Sequence, residues 1–449
     1  MTMAKPKMGL VGLCSHFESG GQRHDELISS AAKAMEAAGI DVVVANRSVW
    51  DPVDAMDVCD QFKEAGIESV AIMFVTWATD DMPYLFINEL KVPVLFWAVP
   101  YPETFSIGCV QEAGGVLKAE GIHFEYVYGL ADDAALIAKV KMAAEAAQIV
   151  KKVKSMRICL MGPRQTWRAA GPQDMTTEEW EFSEKFGSTI IHTRIDDVED
   201  AARNIPDADA KEVFEKELKA ITGKQVNVSE ECLLWMTKMY MATKSLVDSM
   251  HLDAVAAECY PAYSGLMNQT ASWLCEQGII CDTEGDIAHV VVQQMLNMAA
   301  NGGACALGEI GAFDDKAGYV TICHEGSTAP SLAESLDKVA VNASGDMGAF
   351  IGVPMKAMDK VTYCDMQGFA GNYQLFAAKG STLPVSHDEW VEAGSKLVVK
   401  LKDEKAAPSE IVDSMIRSGL HHHIIIKEGD YVALLQMVAK YMNVKVTEV

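Results

Sequence analysis

The sequence is poor in positive charge: 38 lysines and arginines stand against 63 aspartates and glutamates, a formal charge of -25 at pH 7. At long range such a chain repels nucleic acid and anionic membrane surfaces, so neither is an expected partner. An anionic substrate would need a few arginines that reverse the field locally. The chain also lacks the run of about 18 apolar residues that a membrane span requires, any Ser-, Gln- or Pro-rich tract, and any repeat of solenoid period. Its eleven cysteines never form C-x-x-C; Cys14, Cys59, Cys109, Cys159 and Cys232 lie singly in apolar runs, the usage of buried reduced thiols. The opening MTMAKPKMGLVGLC has too short an apolar part for a signal peptide and leads directly into a strand. A cytoplasmic location is the expectation. The glycines of FESGGQR do not follow G-x-G-x-x-G, which argues against a nicotinamide cofactor.

What is there is a globular composition, 49% hydrophobic and 22% charged, in 449 residues. That length exceeds one ordinary core, and about three domains are expected. From Met8 to about Val153, apolar strands (MGLVGLC, IDVVVAN, ESVAIMFV, VPVLFWAVP) alternate with amphipathic helices (DELISSAAKAMEAAG, DAMDVCDQFKEAG, MPYLFINEL), the pattern of a parallel doubly wound sheet. Loops after those strands carry Arg23, His24 and Trp77, where open parallel sheets place ligands. A second Rossmann-like domain is expected over 154–278, from MRICLMG through STIIHTRI and a long helix to DAVAAEC. From 279 to 449 the style changes to short segments separated by Gly, Asp and Lys turns, which reads as an antiparallel sheet or small β-barrel.

Three separated stretches each end a strand-like run in metal-binding side chains: DAVAAECYP at Glu258, IICDTEGD at Glu284 and Asp286, and HHHIIIKEGD at His423. Carboxylate oxygens with one neutral imidazole make a hard shell suited to Mn²⁺ or Mg²⁺. Each residue also has a plainer reading. Glu258 could be a loop glutamate and Asp282 a helix cap. In a strand, His421 and His423 share one face and His422 takes the other, and such histidines are commonly core or surface residues. His324 in TICHEGS is a further candidate for a polar ligand. Arg164 and Arg168 in GPRQTWRAAG, with Arg23 and His24, are the cations that could hold an anionic group, or solvated surface arginines.

The order strand-E-C-Y-P, C-D-T-E-G-D before a helix, I-C-H-E-G with S-L-A, and H-H-I-I-I-K-E-G-D resembles the L-fucose isomerase-like superfamily. The likeness extends to MFVTWATDD and VPVLFWAVP and spans essentially the whole chain. It implies two Rossmann-like domains followed by a β-barrel-like domain, a homo-oligomer with a hexamer favoured, and Mn²⁺, with Mg²⁺ or Co²⁺ as alternatives. It implies metal ligands at Glu258, Asp286 and His423, with Glu258 and Asp286 exchanging the proton of an enediol in aldose–ketose isomerisation. Substrate contacts would come from Arg23, His24, Trp77, Arg164, Arg168, Glu284, His324 and His422. The expected substrate is a sulfonated hexose, sulfoquinovose going to 6-deoxy-6-sulfofructose. A neutral deoxy sugar or pentose, a metal-dependent aldolase and a non-catalytic sugar-binding protein are the alternatives.

Overall fold

The computed structural model describes residues 4–162, 178–260, 263, 265–345, 348–369 and 371–447. The chain divides into two compact units, residues 2–152 with 437–443, and residues 153–436 with 444–449.

In the first unit the alternation is strict: β1 (Lys7–Leu13), α1 (His24–Ala37), β2 (Asp41–Val44), α2 (Pro52–Ala65), β3 (Ser69–Phe74), α3 (Asp81–Leu90), β4 (Val94–Ala98), α4 (Ser106–Ala119), β5 (Phe124–Tyr128) and α5 (Ala134–Lys154). All strands are parallel, in the order β2-β1-β3-β4-β5. Every residue of β3 and β4 is buried, as expected where helices cover both faces of a parallel sheet. Local chemistry agrees with the boundaries. Asp51 caps α2 by accepting from the backbone N–H groups of Val53 and Asp54, Pro52 opens the helix, and Gly66 closes it at φ 67°. Strand β5 is an edge with alternating burial, so a search for apolar runs passes over it.

The second unit begins with a parallel four-stranded sheet, order β10-β9-β6-β7, built from β6 (Arg157–Gly162), β7 (Thr189–Arg194), β9 (Ala254–Ala257) and β10 (Ile280–Asp282). Between them run α6 (Glu179–Phe186), α7 (Ile195–Arg203), α8 (Asp207–Val213), α9 (Glu230–Met250) and α10 (Asn268–Glu276), and α11 (Ile287–Ala299) follows β10. Strand β8 (Gln225–Val226) joins β13 (Ala340–Ser344) and β14 (Gly348–Gly352) in a small sheet.

The remaining strands are β11 (Ala306–Asp314), β12 (Tyr319–His324), β15 (Met358–Phe369), β16 (Asn372–Leu383), β17 (Leu397–Asp403), β18 (His423–Glu428) and β19 (Lys445–Thr447). They form one sheet, ordered β15-β18-β11-β12-β17-β16-β19, with β15 also pairing β16. The pairings are antiparallel except β16–β19. Helices α12 (His387–Glu392), α13 (Pro408–Ser418) and α14 (Val432–Tyr441) complete the chain. The architecture is mixed α/β with parallel sheets and one mostly antiparallel sheet. One continuous apolar cluster, including Trp273, Leu397, Ile424 and Ile426, links the parallel and antiparallel parts of this unit. No helix among the described residues is long and apolar enough to cross a membrane.

Candidate metal centre

The site begins with a turn. Strand β10 ends at Asp282, whose fully buried Oδ1 accepts the backbone N–H groups of Glu284 and Asp286, each at 2.8 Å. This closes the turn tightly enough to require a left-handed residue, and Gly285 supplies it at φ 77°. A Cβ there would lie 2.4 Å from Glu258 Cγ, so Glu258 is packed on the turn, and an isolated antiparallel bridge joins Glu258 to Glu284. The turn sends its two acids in different directions. Glu284 faces a cavity of about 470 Å³. Asp286 turns inward, caps α11 by accepting from His289 N at 3.0 Å, and is fully buried.

Three strands of the antiparallel sheet supply the rest. His423, the first residue of β18, lies directly opposite Glu309 of β11, and His324 ends β12. Glu284, Glu309, His324 and His423 each offer one ligand atom, all within 4.8 Å of one another. His324 Nε2 is 3.2 Å from Glu284 Oε1 and 3.9 Å from Glu309 Oε1, and His423 Nε2 is 3.8 Å from Glu284 Oε2. The N–H of Gly326 donates to His324 Nδ1 at 2.8 Å, leaving Nε2 to carry the proton toward Glu284. On His423, Nδ1 faces Asp286 Oδ2 at 3.2 Å, while the buried Nε2 has no hydrogen-bond partner.

The residues present fit a divalent cation. An imidazole that donates from Nδ1 to a carboxylate and aims an unpartnered Nε2 at other oxygen and nitrogen donors is arranged as metal-bound histidines are. Two carboxylates beside two imidazoles would also balance a double positive charge. Burial pushes His423 down to about 4, keeping it neutral. Burial raises Glu284, but the hydrogen bond from His324 and the electrostatic pull of the surrounding imidazoles outweigh it, and its pKa falls below the ordinary carboxylate value. Asp282 is pushed up to about 7 by burial and by Asp286.

Behind His423 lies a second set, Asp286, His289 and His421, whose donor atoms are equally close together. His289 Nδ1 contacts Asp286 Oδ2, and its Nε2 lies 3.0 Å from Asp365 Oδ1 and 3.2 Å from the carbonyl oxygen of His423.

Of the residues singled out in the sequence, Glu284, His324 and His422 line the cavity and His423 and Asp286 stand in contact beside it. Arg23, His24 and Trp77 belong to the first unit. There Arg23 pairs with Glu103 at 2.6 Å and lies over Tyr101, His24 Nδ1 is 2.9 Å from Asp25, and Trp77 donates to Glu112 at 2.8 Å. Arg164 and Arg168 lie outside the described residues. Sequence reasoning missed Glu309, His289, Asp365 and Lys396. Lys396 lines the cavity and pairs with Glu325 at 2.8 Å. For His289 a signal existed: Asp286 stands at the cap position of a helix, and the side chain of a cap reaches the residue three positions on.

No protein-family model matches the chain. It is similar to the sulfoquinovose isomerase of Priestia aryabhattai, 22% identical over 419 residues and 90% of each chain. It is likewise similar to that of Alkalicoccus urumqiensis, 21% identical over 412 residues, covering 88% of this chain and 89% of the other. For the sulfoquinovose isomerase of Clostridium sp. (strain MSTE9) the identity is 20% over 358 residues, 76% and 77% of the two chains. A solute-binding protein from Burkholderia multivorans aligns at a TM-score of 0.19 with 9% identity, covering 67% of this chain and 95% of that one, too weakly to carry an argument. The resemblance read from the motifs is borne out: the chain's similarity is to sugar isomerases.

Proposed function

We propose that this chain is a metal-dependent aldose–ketose isomerase acting through an enediol, with Mn²⁺ the preferred ion and Mg²⁺ or Co²⁺ as alternatives. The observation that carries the reading is the convergence of Glu284, Glu309, His324 and His423 at one cavity, with His423 Nε2 buried and unpartnered. Glu284, Glu309 and His423 would hold the ion, while His324, whose Nδ1 accepts from Gly326, donates from Nε2 to Glu284 and orients it. When bound, a divalent cation polarises a carbonyl oxygen and stabilises negative charge developing beside it.

The chain's own groups do the rest. Glu284 is ionised at neutral pH and accepts from His324, so its carboxylate is oriented before substrate arrives. Glu258, packed on Gly285 beside the same turn, is the carboxylate assigned to take the proton from C2 and return it to C1, while the hydroxyl proton of C2 passes to the oxygen on C1. Asp286 is fully buried and faces His289 and His423, so its part is to hold His423 rather than to touch sugar.

Sulfoquinovose is the substrate we favour, on the names of the similar proteins and on Lys396, an ammonium at the cavity wall that could meet a sulfonate. A neutral sugar is the second reading, because Glu284, Glu309 and Glu325 line the same wall. A homo-oligomer, with a hexamer favoured, is part of the proposal, and sedimentation showing only monomer at micromolar concentration would remove it.

The test is exchange of the sugar C2 proton with deuterated solvent, using metal-stripped protein with and without Mn²⁺ and a panel of aldoses that includes sulfoquinovose. Mn²⁺-dependent exchange with ketose formation is the expected result. Cation binding without exchange on any sugar would replace the isomerase by a binding protein, and a change in carbon count would replace it by an aldolase.

A further inference from the structure

We propose that His289, seated on Asp365, is a positioning residue that sets the ring orientation and tautomer of His423. The inference rests on His423 being a ligand of the proposed metal centre, but its structural content can be tested without that reading.

The contacts form a closed loop. His423 Nδ1 faces Asp286 Oδ2 at 3.2 Å, Asp286 Oδ2 contacts His289 Nδ1, and His289 Nε2 returns to the backbone carbonyl oxygen of His423 at 3.2 Å. One imidazole therefore braces His423 twice, through the carboxylate that holds its ring and through its own main chain. Asp365 of β15 faces the same His289 Nε2 at 3.0 Å, an ion-pair approach in which its carboxylate oxygens form no hydrogen bond among the described residues, and this sets a carboxylate against the brace from a neighbouring strand. His421 lies at the margin, its Nδ1 3.9 Å from Asp365 and 4.0 Å from Asp286.

Asp286, His289, Asp365 and His423 are all fully buried. Water cannot replace a lost partner there, and a buried carboxylate without one is costly. Both nitrogens of His289 face acceptors, so the loop closes with a proton on each, in the arrangement where the Nδ1 proton of His423 points at Asp286 and its Nε2 lone pair faces Glu284. Removing Asp365 frees His289 to turn, which loosens Asp286 and lets His423 populate the other tautomer.

The experiment uses full-length, metal-free protein with ¹⁵N-labelled histidine, the His423 signals being assigned by their loss in His423→Gln. In the wild type the long-range ¹H–¹⁵N pattern should place the His423 proton on Nδ1. In Asp365→Asn it should shift toward a mixture, and the Mn²⁺ affinity should fall about 10–100-fold, with kcat recovering at saturating Mn²⁺. A His423 proton on Nε2 in the wild type would overturn the proposal without recourse to any variant. So would an unchanged tautomer and affinity in a folded Asp365→Asn, or a second metal ion per chain that Asp365→Asn removes, since the cluster would then be an ion site. A wild-type Nδ1 proton in a protein that isomerises no sugar would leave the brace standing and remove the isomerase reading.

Discussion

Glu309 and His423 stand directly across from each other on the antiparallel pair β11–β18. That register brings a carboxylate and an imidazole from residues 114 positions apart (423 − 309) into one donor set, and a slip of one residue would send one of them to the other face of the sheet.

Ligand and base should separate by mutation. Glu284→Gln is expected to weaken Mn²⁺ binding at least about 100-fold, because it removes the charge of a carboxylate that would touch the ion, where the loss of a group that only orients a ligand already reaches that size. Glu258→Gln should leave the affinity close to wild type and slow C2 proton exchange about 10²–10⁴-fold. Calorimetric titration with Mn²⁺, beside the exchange assay, reads both.

Gly285→Ala combines a left-handed backbone with a Cβ 2.4 Å from Glu258 Cγ. We expect a loss of about 1–3 kcal/mol in unfolding free energy, read from urea melts, together with loss of exchange activity as Glu258 is displaced.

Lys396 discriminates between the two substrate readings. If a sulfonate docks there, Lys396→Met should cut kcat/KM for sulfoquinovose about tenfold or more, through one lost charge-assisted contact, and leave neutral aldoses within about twofold. Equal effects on both would assign Lys396 to the fold.

Lys427 is buried, and its Nζ lies 2.9, 2.5 and 3.1 Å from the carbonyl oxygens of Gly302, Gly303 and Ala304 just beyond α11. Lys427→Met strands those acceptors and should cost about 2–3 kcal/mol, measurable by chemical denaturation.

Acid should loosen the support beneath Lys396. Glu389 is held at about 2, first by the hydrogen bond from Lys400 and then by those from Ser386, in the capping box of α12. The same helix carries buried Trp390, which donates to the Lys396 carbonyl oxygen at 2.7 Å. A depressed folded pKa means the contribution is complete above the ordinary carboxylate value and is lost as the pH falls toward about 2. Glu389→Gln should therefore flatten the acid limb of a thermal-stability profile and leave the neutral limb nearly parallel to wild type.

Much of the fold was legible because burial periodicity is local. The strands β1, β3 and β4 announce themselves as continuous apolar runs, and Pro52 and Gly66 bracket α2 by backbone chemistry alone. Strand β5 escaped because an edge strand buries only alternate residues. In the site, Glu258, Glu284, His324 and His423 all stood out because each lies at or just beyond one end of an apolar strand, where a polar side chain interrupts the run. Their partners did not. Glu309 sits within a strand, Asp365 in the long β15, and His289 on an apolar helix, positions that read as ordinary until a neighbour is known.

The sequence by itself determined the alternating architecture of the first unit and the acidic turn at Asp282–Asp286, because helix period, strand period and turn chemistry depend on residues a few positions apart. Tertiary structure alone decided which acids meet which imidazoles. Glu284 looks into the cavity and Asp286 away from it because Asp282 and Gly285 shape the turn between them. His423 meets Glu309 and Asp286 because strand register and the seat of α11 place them there. Those are long-range pairings, whose free energy comes from burying surfaces far apart in the chain, and no local pattern encodes them.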